Sequence, residues 1–552
     1  MCGIIGTVPN SKINLKYINH RGPDANGLQT VPDKLTFGHT RLSILDLTSN
    51  GSQPRYSQSG NVLVTYNGEI YNYKEISTIE NCTCDTISLI DNLDKNGINF
   101  IPSEFNGMYA FSAYFKNEDK LVLLRDPVGI KPLYIYINED KIAFCSEIKG
   151  FFGVDWYNPI PNDDVQIQSD FLRYGYTFPQ DVEVMHNGNT FNLNLVPTLI
   201  KNLYSLTPGI KYIYCLKKKT FETNEYTFKE ESKNPIDLIR NSVLEQSMSD
   251  VEVGVQLSGG IDSSIVANEY SNIASKVHGF YVSVNHKNLN EDKWVEIVRK
   301  NLSKKTTFVF HKIILNKKEI KRVISSSAWF MDEPMIRHPN AMGIYLLSEY
   351  VKKHTNVKVL LTGEGADEIF GGYSWHTGDT LKDYGSTRVF FETKQSPIID
   401  DFILKNKSNI VLNAQLNYDR KFYLPPILLR QDRMTMAHSI ESRVPFLSND
   451  FLNLGTPDKP GKIELKKYAA DLFGEEFAYR EKYGFGLSWD WLNSFKIETK
   501  YLKWLKIEVT PKTNEQKWAL IALSIWSKHF LYNDRKENNY KVPSQSFFSK
   551  YL

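Results

Sequence analysis

Cys2 stands at the head of the chain in MCGIIGTVPN, and removal of the initiator methionine would leave one residue bearing both a thiol and a free α-amine. An α-amine with a pKa of about 8 can act as general base for its own thiol, so this residue at this position suits attack on a carbonyl. Farther on, VGVQLSGGIDSSIVANEY at 253–270 reads as an apolar strand that ends at Leu257-Ser258-Gly259-Gly260 and passes into a helix at Asp262-Ser263-Ser264. Small residues and helix-start N–H groups converge there on an anion, which is the chemistry of a phosphate cradle. The loop lacks the Gly-Lys-Ser/Thr ending of a Walker A sequence. A second strand end, LLTGEGADEIFGGYSW at 360–375, sets Thr362, Gly363, Glu364 and Asp367 where open α/β sheets bind ligands.

These groups need scaffolds of two kinds. A chain end is ordinarily poorly ordered, so Cys2 needs a pinned strand, and GIIGTV can form one from its β-branched residues. Up to about residue 205, short strand-like runs recur between Gly, Pro, Asn and Asp turns: NVLVTYNGEIYN, YAFSAYF, KLVLLRD, LYIYI and KIAFCSE. After about residue 235, buried runs such as VEVGVQL, VHGFYVSV and VKVLLTG each adjoin a helical stretch, the pattern of a parallel α/β sheet. Residues 206–234 read as a hairpin and linker, with the basic run CLKKKTF as solvated surface.

The composition agrees with a folded chain of more than one domain. At roughly 150 residues per domain, 552 residues exceed a single core. Lys and Arg number 66 against 63 Asp and Glu, a balance too even to argue for nucleic acid or a membrane surface as partner. Five cysteines, at 2, 82, 84, 145 and 215, are sparse and odd in number, which argues against a disulfide scaffold and for a cytoplasmic location. The first residues lack the pattern of a signal peptide, and no apolar run has transmembrane length. CTCD at 82–85 supplies two cysteines where a structural zinc site wants four ligands, so no metal is expected there.

Six ordered blocks carry a resemblance: INHRGPDANG, FGHTRLSILDL, YNGEIYNY, CDTISLI, NGMYAFSAYF and LLRDPVGIKPLYI, between residues 18 and 135. With Cys2, they resemble the glutaminase domain of class II glutamine amidotransferases, of the N-terminal nucleophile hydrolase type. That resemblance implies an αββα sandwich over 2–205, with Cys2 as nucleophile and Asn67 and Gly68 as the oxyanion hole. It also implies that Arg41 pairs with the α-carboxylate of glutamine, while Glu69 and Asp85 hold its α-ammonium. Where the family usually has an acidic residue after its Asp-Thr pair, this sequence has Ile87.

The loop at 258–264 resembles that of ATP-pyrophosphatases, which split ATP between the α and β phosphates. LPPILLRQDRMTMAHSIESRVPFLSNDFL and YREKYGFGLSW add the look of a glutamine-hydrolysing asparagine synthetase, so the resemblance runs over essentially the whole chain. It implies a parallel α/β ATP-pyrophosphatase domain over 235–552. Leu257, Ser258, Gly259, Gly260, Asp262, Ser263, Ser264, Val284, Thr362, Gly363 and Lys482 would bind ATP. Asp262 and Asp367 would hold Mg²⁺, whose preference is for hard oxygen ligands. Glu364 is the candidate acid/base or substrate-orienting carboxylate. Arg433 and Arg443 either support this site, line the route between the domains, or lie on a helical surface.

On that resemblance, ammonia released at Cys2 travels through a tunnel to a carboxylate activated as an acyl-AMP. Aspartate would become asparagine, with AMP, pyrophosphate and glutamate as the other products. The same architecture amidates other carboxylates, including uronic acids of surface polysaccharides, and WFMDEPMIRHPNAMG at 329–343 is the expected acceptor pocket. The remaining alternative is a non-enzymatic relative, and retention of the reactive residues argues against it. The partners expected are small-molecule substrates, with room for a homodimer.

Overall fold

The computed structural model describes residues 2–226, 233–286, 291–377, 381, 389–406, 411–455, 457, 459–481 and 486–532. The chain is mixed α/β and divides into two compact units. One is built mainly from residues up to about 228, and the other mainly from those that follow.

Among the described residues, fourteen strands belong to the first unit: β1 Cys2–Val8, β2 Ala25–Val31, β3 Leu35–Arg41, β4 Arg55–Tyr56, β5 Val62–Ile70, β6 Gly107–Phe115, β7 Lys120–Arg125, β8 Tyr134–Asn138, β9 Lys141–Cys145, β10 Gln180–His186, β11 Asn189–Pro197, β12 Leu203–Leu206, β13 Ile210–Cys215 and β14 Thr220–Glu225. They make an eight-stranded sheet in the order β10-β11-β12-β8-β9-β1-β3-β2 and a six-stranded sheet in the order β14-β13-β7-β6-β5-β4. The pairings are antiparallel throughout. Side chains of both sheets, among them Ile4, Phe37, Leu63, Leu123, Ile135 and Tyr212, share one buried core.

Because strand side chains alternate, burying Leu63 in that core turns Thr65, Asn67 and Glu69 to the same face of β5. The opposite face carries Tyr66, whose hydroxyl reaches Asp85 at the start of the helix Asp85–Asn96. β1 lies between β9 and β3, so the chain end is hydrogen-bonded on both edges over much of its length. The hairpin expected within 206–234 is β13–β14. It is an edge of the six-stranded sheet rather than a separate linker, because the apolar run Ile210–Cys215 pairs with β7 and is buried along its length.

The second unit is built on five parallel strands: β15 Val253–Leu257, β16 Lys276–Val284, β17 Thr307–Leu315, β18 Val359–Leu361 and β19 Glu441–Arg443. Their order is β17-β16-β15-β18-β19. From β15 the chain builds outward through β16 and β17, then returns to place β18 on the other side of β15. The strand order reverses there, and the crevice at such a switch point is where α/β sheets take their ligands. Two groups of helices pack around this sheet. Pro235–Gln246, Ile261–Ser271, Asp292–Leu302 and Ile463–Phe473 form one, while Lys317–Met331, Ala341–His354 and Leu424–Met436 form the other. Among the described residues, no helix is long and apolar enough to cross a membrane.

Candidate active sites

The first site lies at the start of β1. Cys2 pairs in register with Arg41, which puts nucleophile and cation on adjacent strands. The backbone nitrogen of Cys2 donates to Asn67 Oδ1 at 2.9 Å. The Cys2 carbonyl accepts from Arg21 Nε, also at 2.9 Å. Behind Arg21 sits the fully buried carboxylate of Glu147, 2.7 Å from Arg21 Nη1, 2.5 Å from Lys149 Nζ and 2.9 Å from His20 Nε2. Burial raises the pKa of the Cys2 thiol.

Asn67 has a second feature of chemical interest. Its Nδ2 is buried and has no hydrogen-bond partner. Buried amide donors are rarely left unpaired, so this one is available to an oxygen that enters the site.

Cys2, Arg41, Gly68, Glu69 and Asp85 line a single pocket together with Tyr66. Arg41 is pinned from behind, its Nη1 and Nη2 donating to the carbonyls of Thr48 and Asp46. Asp46 in turn accepts from Thr48, Asn50 and Thr83, and these hydrogen bonds hold its carboxyl well below the usual range. Asp85 accepts from Tyr66 Oη at 2.7 Å and from the Ile70 N–H at 3.2 Å. Burial nevertheless raises its pKa, outweighing the hydrogen bonds that favour the charged form. His39, buried on β3 with Nε2 3.2 Å from the Tyr66 carbonyl, is driven by desolvation to about 3 and stays neutral.

The second site occupies the switch-point crevice. Ser258, Gly259 and Gly260 leave β15, and Ser263 Oγ ties the turn by accepting from the Ser258 N–H at 3.1 Å. Ser264 Oγ donates to the Gly260 carbonyl at 2.7 Å. Thr362 and Gly363 leave β18 alongside, and a Cβ on Gly363 would lie 2.6 Å from the Ser263 nitrogen, so only glycine lets the two loops meet. Leu257 and Val284 are the buried last residues of β15 and β16.

Asp262 and Asp367 converge from those two loops, and Lys462 Nζ bridges them, 2.6 Å from Asp262 Oδ2 and 2.7 Å from Asp367 Oδ1. Although burial opposes its charge, the two carboxylates raise the pKa of Lys462. Asp262 Oδ1 is buried without a partner. This donor set fits magnesium, which commonly takes one or two carboxylates and completes its shell with phosphate oxygens and water. Among the described residues no three His, Cys, Asp or Glu side chains gather as a metal cluster, so substrate oxygens would have to supply the other ligands.

Glu364 pairs with Arg430, Oε1 lying 2.5 Å from Nη2. Of the arginines on the helix Leu424–Met436, Arg430 is thus the one that meets the predicted carboxylate. Arg433 and Arg443 are not surface residues. Both are fully buried, Arg433 3.2 Å from Asp332 and Arg443 2.6 Å from Glu441, with Arg443 also donating to the Gln246 and Met248 carbonyls. Their role is to support the second unit from within. Lys482 lies outside the described residues.

Sequence reasoning missed Glu147, Lys149, Asp46, Lys462 and Arg430. Arg21 sits inside a recognised block, and Arg430 is one helical turn before Arg433, so both carried a local signal. Lys462 carried none, since its partner Asp262 is 200 residues away.

Comparison with known proteins bears on both sites. A glutamine amidotransferase domain family matches residues 1–196, and the asparagine synthase family matches residues 236–505. A putative glutamine-hydrolysing asparagine synthetase 2 of Methanocaldococcus jannaschii is 31% identical over 70% of this chain and 78% of its own length. This chain belongs to the glutamine-hydrolysing asparagine synthetase family. The glutamine-hydrolysing asparagine synthetase 1 of Bacillus subtilis is 27% identical over 88% of this chain and 87% of its own. Amidase chry2 of Gibberella zeae is 27% identical over 68% of this chain and 57% of its own. The family consists of ATP-dependent ligases with glutamine as amide donor, and the two candidate sites lie one in each matched region.

Two expectations follow for this synthetase-family chain. A Cβ at Gly51 would lie 2.3 Å from Arg41 Nη2. Gly51→Ala should therefore displace the guanidinium and raise the KM for glutamine about tenfold, roughly 1.4 kcal/mol of binding. Steady-state glutaminase assays measure this, and an unchanged KM would remove Arg41 from the clamp. Asp85 must ionise to hold an ammonium, and its pKa is raised. The KM for glutamine should accordingly climb as pH falls through that pKa and level off above it. Asp85→Asn should abolish the dependence, which a pH series of glutaminase KM would reveal.

Proposed function

We propose that this chain is a glutamine-dependent asparagine synthetase acting on aspartate. The reading is carried by Asn67, whose Oδ1 holds the Cys2 nitrogen while its unpartnered, buried Nδ2 stands ready for an oxyanion.

In the first reaction the Cys2 sulfur attacks the carboxamide carbon of glutamine, its proton passing to the α-amine of the same residue. Asn67 Nδ2 and the Gly68 N–H donate to the resulting oxyanion. Arg41 holds the α-carboxylate, and Glu69 and Asp85 hold the α-ammonium. Collapse of the adduct breaks the carbon–nitrogen bond, the α-ammonium of Cys2 returns its proton to the departing nitrogen, and ammonia leaves. Water then cleaves the thioester to give glutamate and restore the thiol.

In the second reaction a carboxylate oxygen of aspartate attacks the α phosphorus of ATP and pyrophosphate departs. Ser258, Gly259, Gly260, Ser263 and Ser264 cradle the phosphates, with Lys462 and Lys482 as their cations. Magnesium held by Asp262 and Asp367 would supply neutralising charge to the phosphate oxygens. Glu364, steadied by Arg430, orients the acceptor. Ammonia attacks the acyl carbon, AMP leaves with the carboxylate oxygen, and asparagine remains. Aspartate is favoured over a uronic acid because relatives spanning most of the chain carry the asparagine synthetase name. A cytoplasmic location and a homodimer complete the reading.

Separating the two nitrogen sources tests it. Cys2→Ala should lower glutamine-dependent asparagine formation by at least about a thousandfold, a loss of the size seen when a catalytic nucleophile is removed, while synthesis from ammonium salts stays near the native rate. AMP and pyrophosphate should appear in equal amounts with asparagine. Stoichiometric ADP, or turnover with a uronic acid and none with aspartate, would overturn the proposal.

A further inference from the structure

The segment between the helices Lys317–Met331 and Ala341–His354 contains an imidazole that no step above uses. His338 Nε2 is shielded from solvent and has no hydrogen-bond partner. Its ring lies 6.0 Å from that of Tyr423. Burial pushes its pKa well below the ordinary range, reinforced by the guanidinium groups of Arg430 and Arg337. Arg337 is carried on the same segment, and its guanidinium lies 5.9 Å from the Tyr423 ring.

Arg430 connects this imidazole to the second site. Its Nη2 pairs with Glu364 in the loop after β18, and its Nη1 donates to Asn340 Oδ1, two residues beyond His338, at 3.3 Å. Its Nε is buried without a partner. An unsatisfied nitrogen thus stands on each of two electrostatically interacting side chains, one of them paired with the carboxylate that orients the acceptor. Buried polar atoms left unpaired in this way mark a place for a ligand. Two guanidinium groups favour an anion, and the planar nitrogens suit a carboxylate.

We propose that His338 Nε2 and Arg430 Nε together bind the carboxylate of the acceptor that is not amidated, so that His338 selects a dicarboxylic amino acid. This rests on the reading of the second site as the place of carboxylate activation. His338 donates from Nε2, neutral in the free enzyme and able to take a second proton on Nδ1 once the carboxylate is bound. An incoming carboxylate counters the two guanidinium groups that depress the imidazole's pKa, so binding is linked to proton uptake and tightens as pH falls. The charged or titratable groups facing His338 are Arg337 on its own segment, Arg430 from the helix Leu424–Met436, Tyr423 just before that helix, and Glu364 through Arg430.

The test uses the full-length protein with saturating ATP, magnesium and ammonium chloride, following pyrophosphate release at varied aspartate. His338→Phe removes the donor and keeps the ring. It should raise the KM for aspartate about tenfold or more, a change typical of losing one hydrogen bond to a charged group, with little effect on the KM for ATP. His338→Gln retains a donor near the Nε2 position. It should stay within about threefold of the native KM while losing the tightening at low pH, since an amide does not titrate.

An unchanged KM for aspartate in His338→Phe would overturn the proposal. So would a parallel rise in the KM values for ATP and aspartate. Should His338→Phe fail to fold, judged by loss of cooperative thermal unfolding, the pH profile of His338→Gln decides, and a native-like profile overturns it. A native enzyme that releases no pyrophosphate with aspartate refutes the function proposed above instead, and this inference falls with it.

Discussion

The first unit depends on holding a chain end still. Cys2 can serve as the proposed nucleophile only if its backbone is as fixed as a strand interior, and a residue left at a terminus would lack the chain on one side that would do this. The structure replaces it with a buried charge cluster. Glu147 gathers Arg21, Lys149 and His20, and Arg21 passes that rigidity to the Cys2 carbonyl. Breaking such a buried pair typically costs about 3–5 kcal/mol, because the remaining charge is left without a partner. Asn67 grips the same residue at its nitrogen, so backbone groups on both sides of the Cys2 α-carbon are fixed.

The second unit meets the reverse demand, that of keeping a site open to a highly charged ligand. Asp262 and Asp367 face one another from adjacent strand ends, where unopposed carboxylates would repel each other and any phosphate. Lys462 neutralises them from between. Nearby, Glu368 is buried beside Asp367, Asp419 and Glu364; burial first, then those charges, push its carboxyl up to about 8, and the Tyr373 hydroxyl donates to it at 2.6 Å. Negative charge in this crevice is therefore compensated by Lys462 on one side and by protonation on the other.

The sequence by itself determined the elements that carry chemistry and the residues at their ends. Strand runs such as VLVTYNGEI and VGVQL declare themselves through apolar and β-branched content, and a glycine-serine turn before a helix declares an anion cradle. Of the six residues expected at the first site, Cys2, Arg41, Gly68, Glu69 and Asp85 line one pocket, while Asn67 meets the Cys2 nitrogen without lining it. Such signals are local, because strand period, helix start and turn chemistry all act over a few residues.

Only the tertiary structure decided how the charges are balanced. Glu147 is 126 residues from Arg21, Lys462 is 200 from Asp262, and Arg430 is 66 from Glu364, and no spacing rule joins such pairs. The same holds for Arg433 and Arg443, whose helix and short strand could have faced water until packing buried them against Asp332 and Glu441. It holds also for β13–β14, whose apolar run could have formed a separate hairpin until β7 presented the edge with which it pairs. Local structure follows from interactions between near neighbours in the chain, whereas the partner of a buried charge is set by where the fold brings distant segments together.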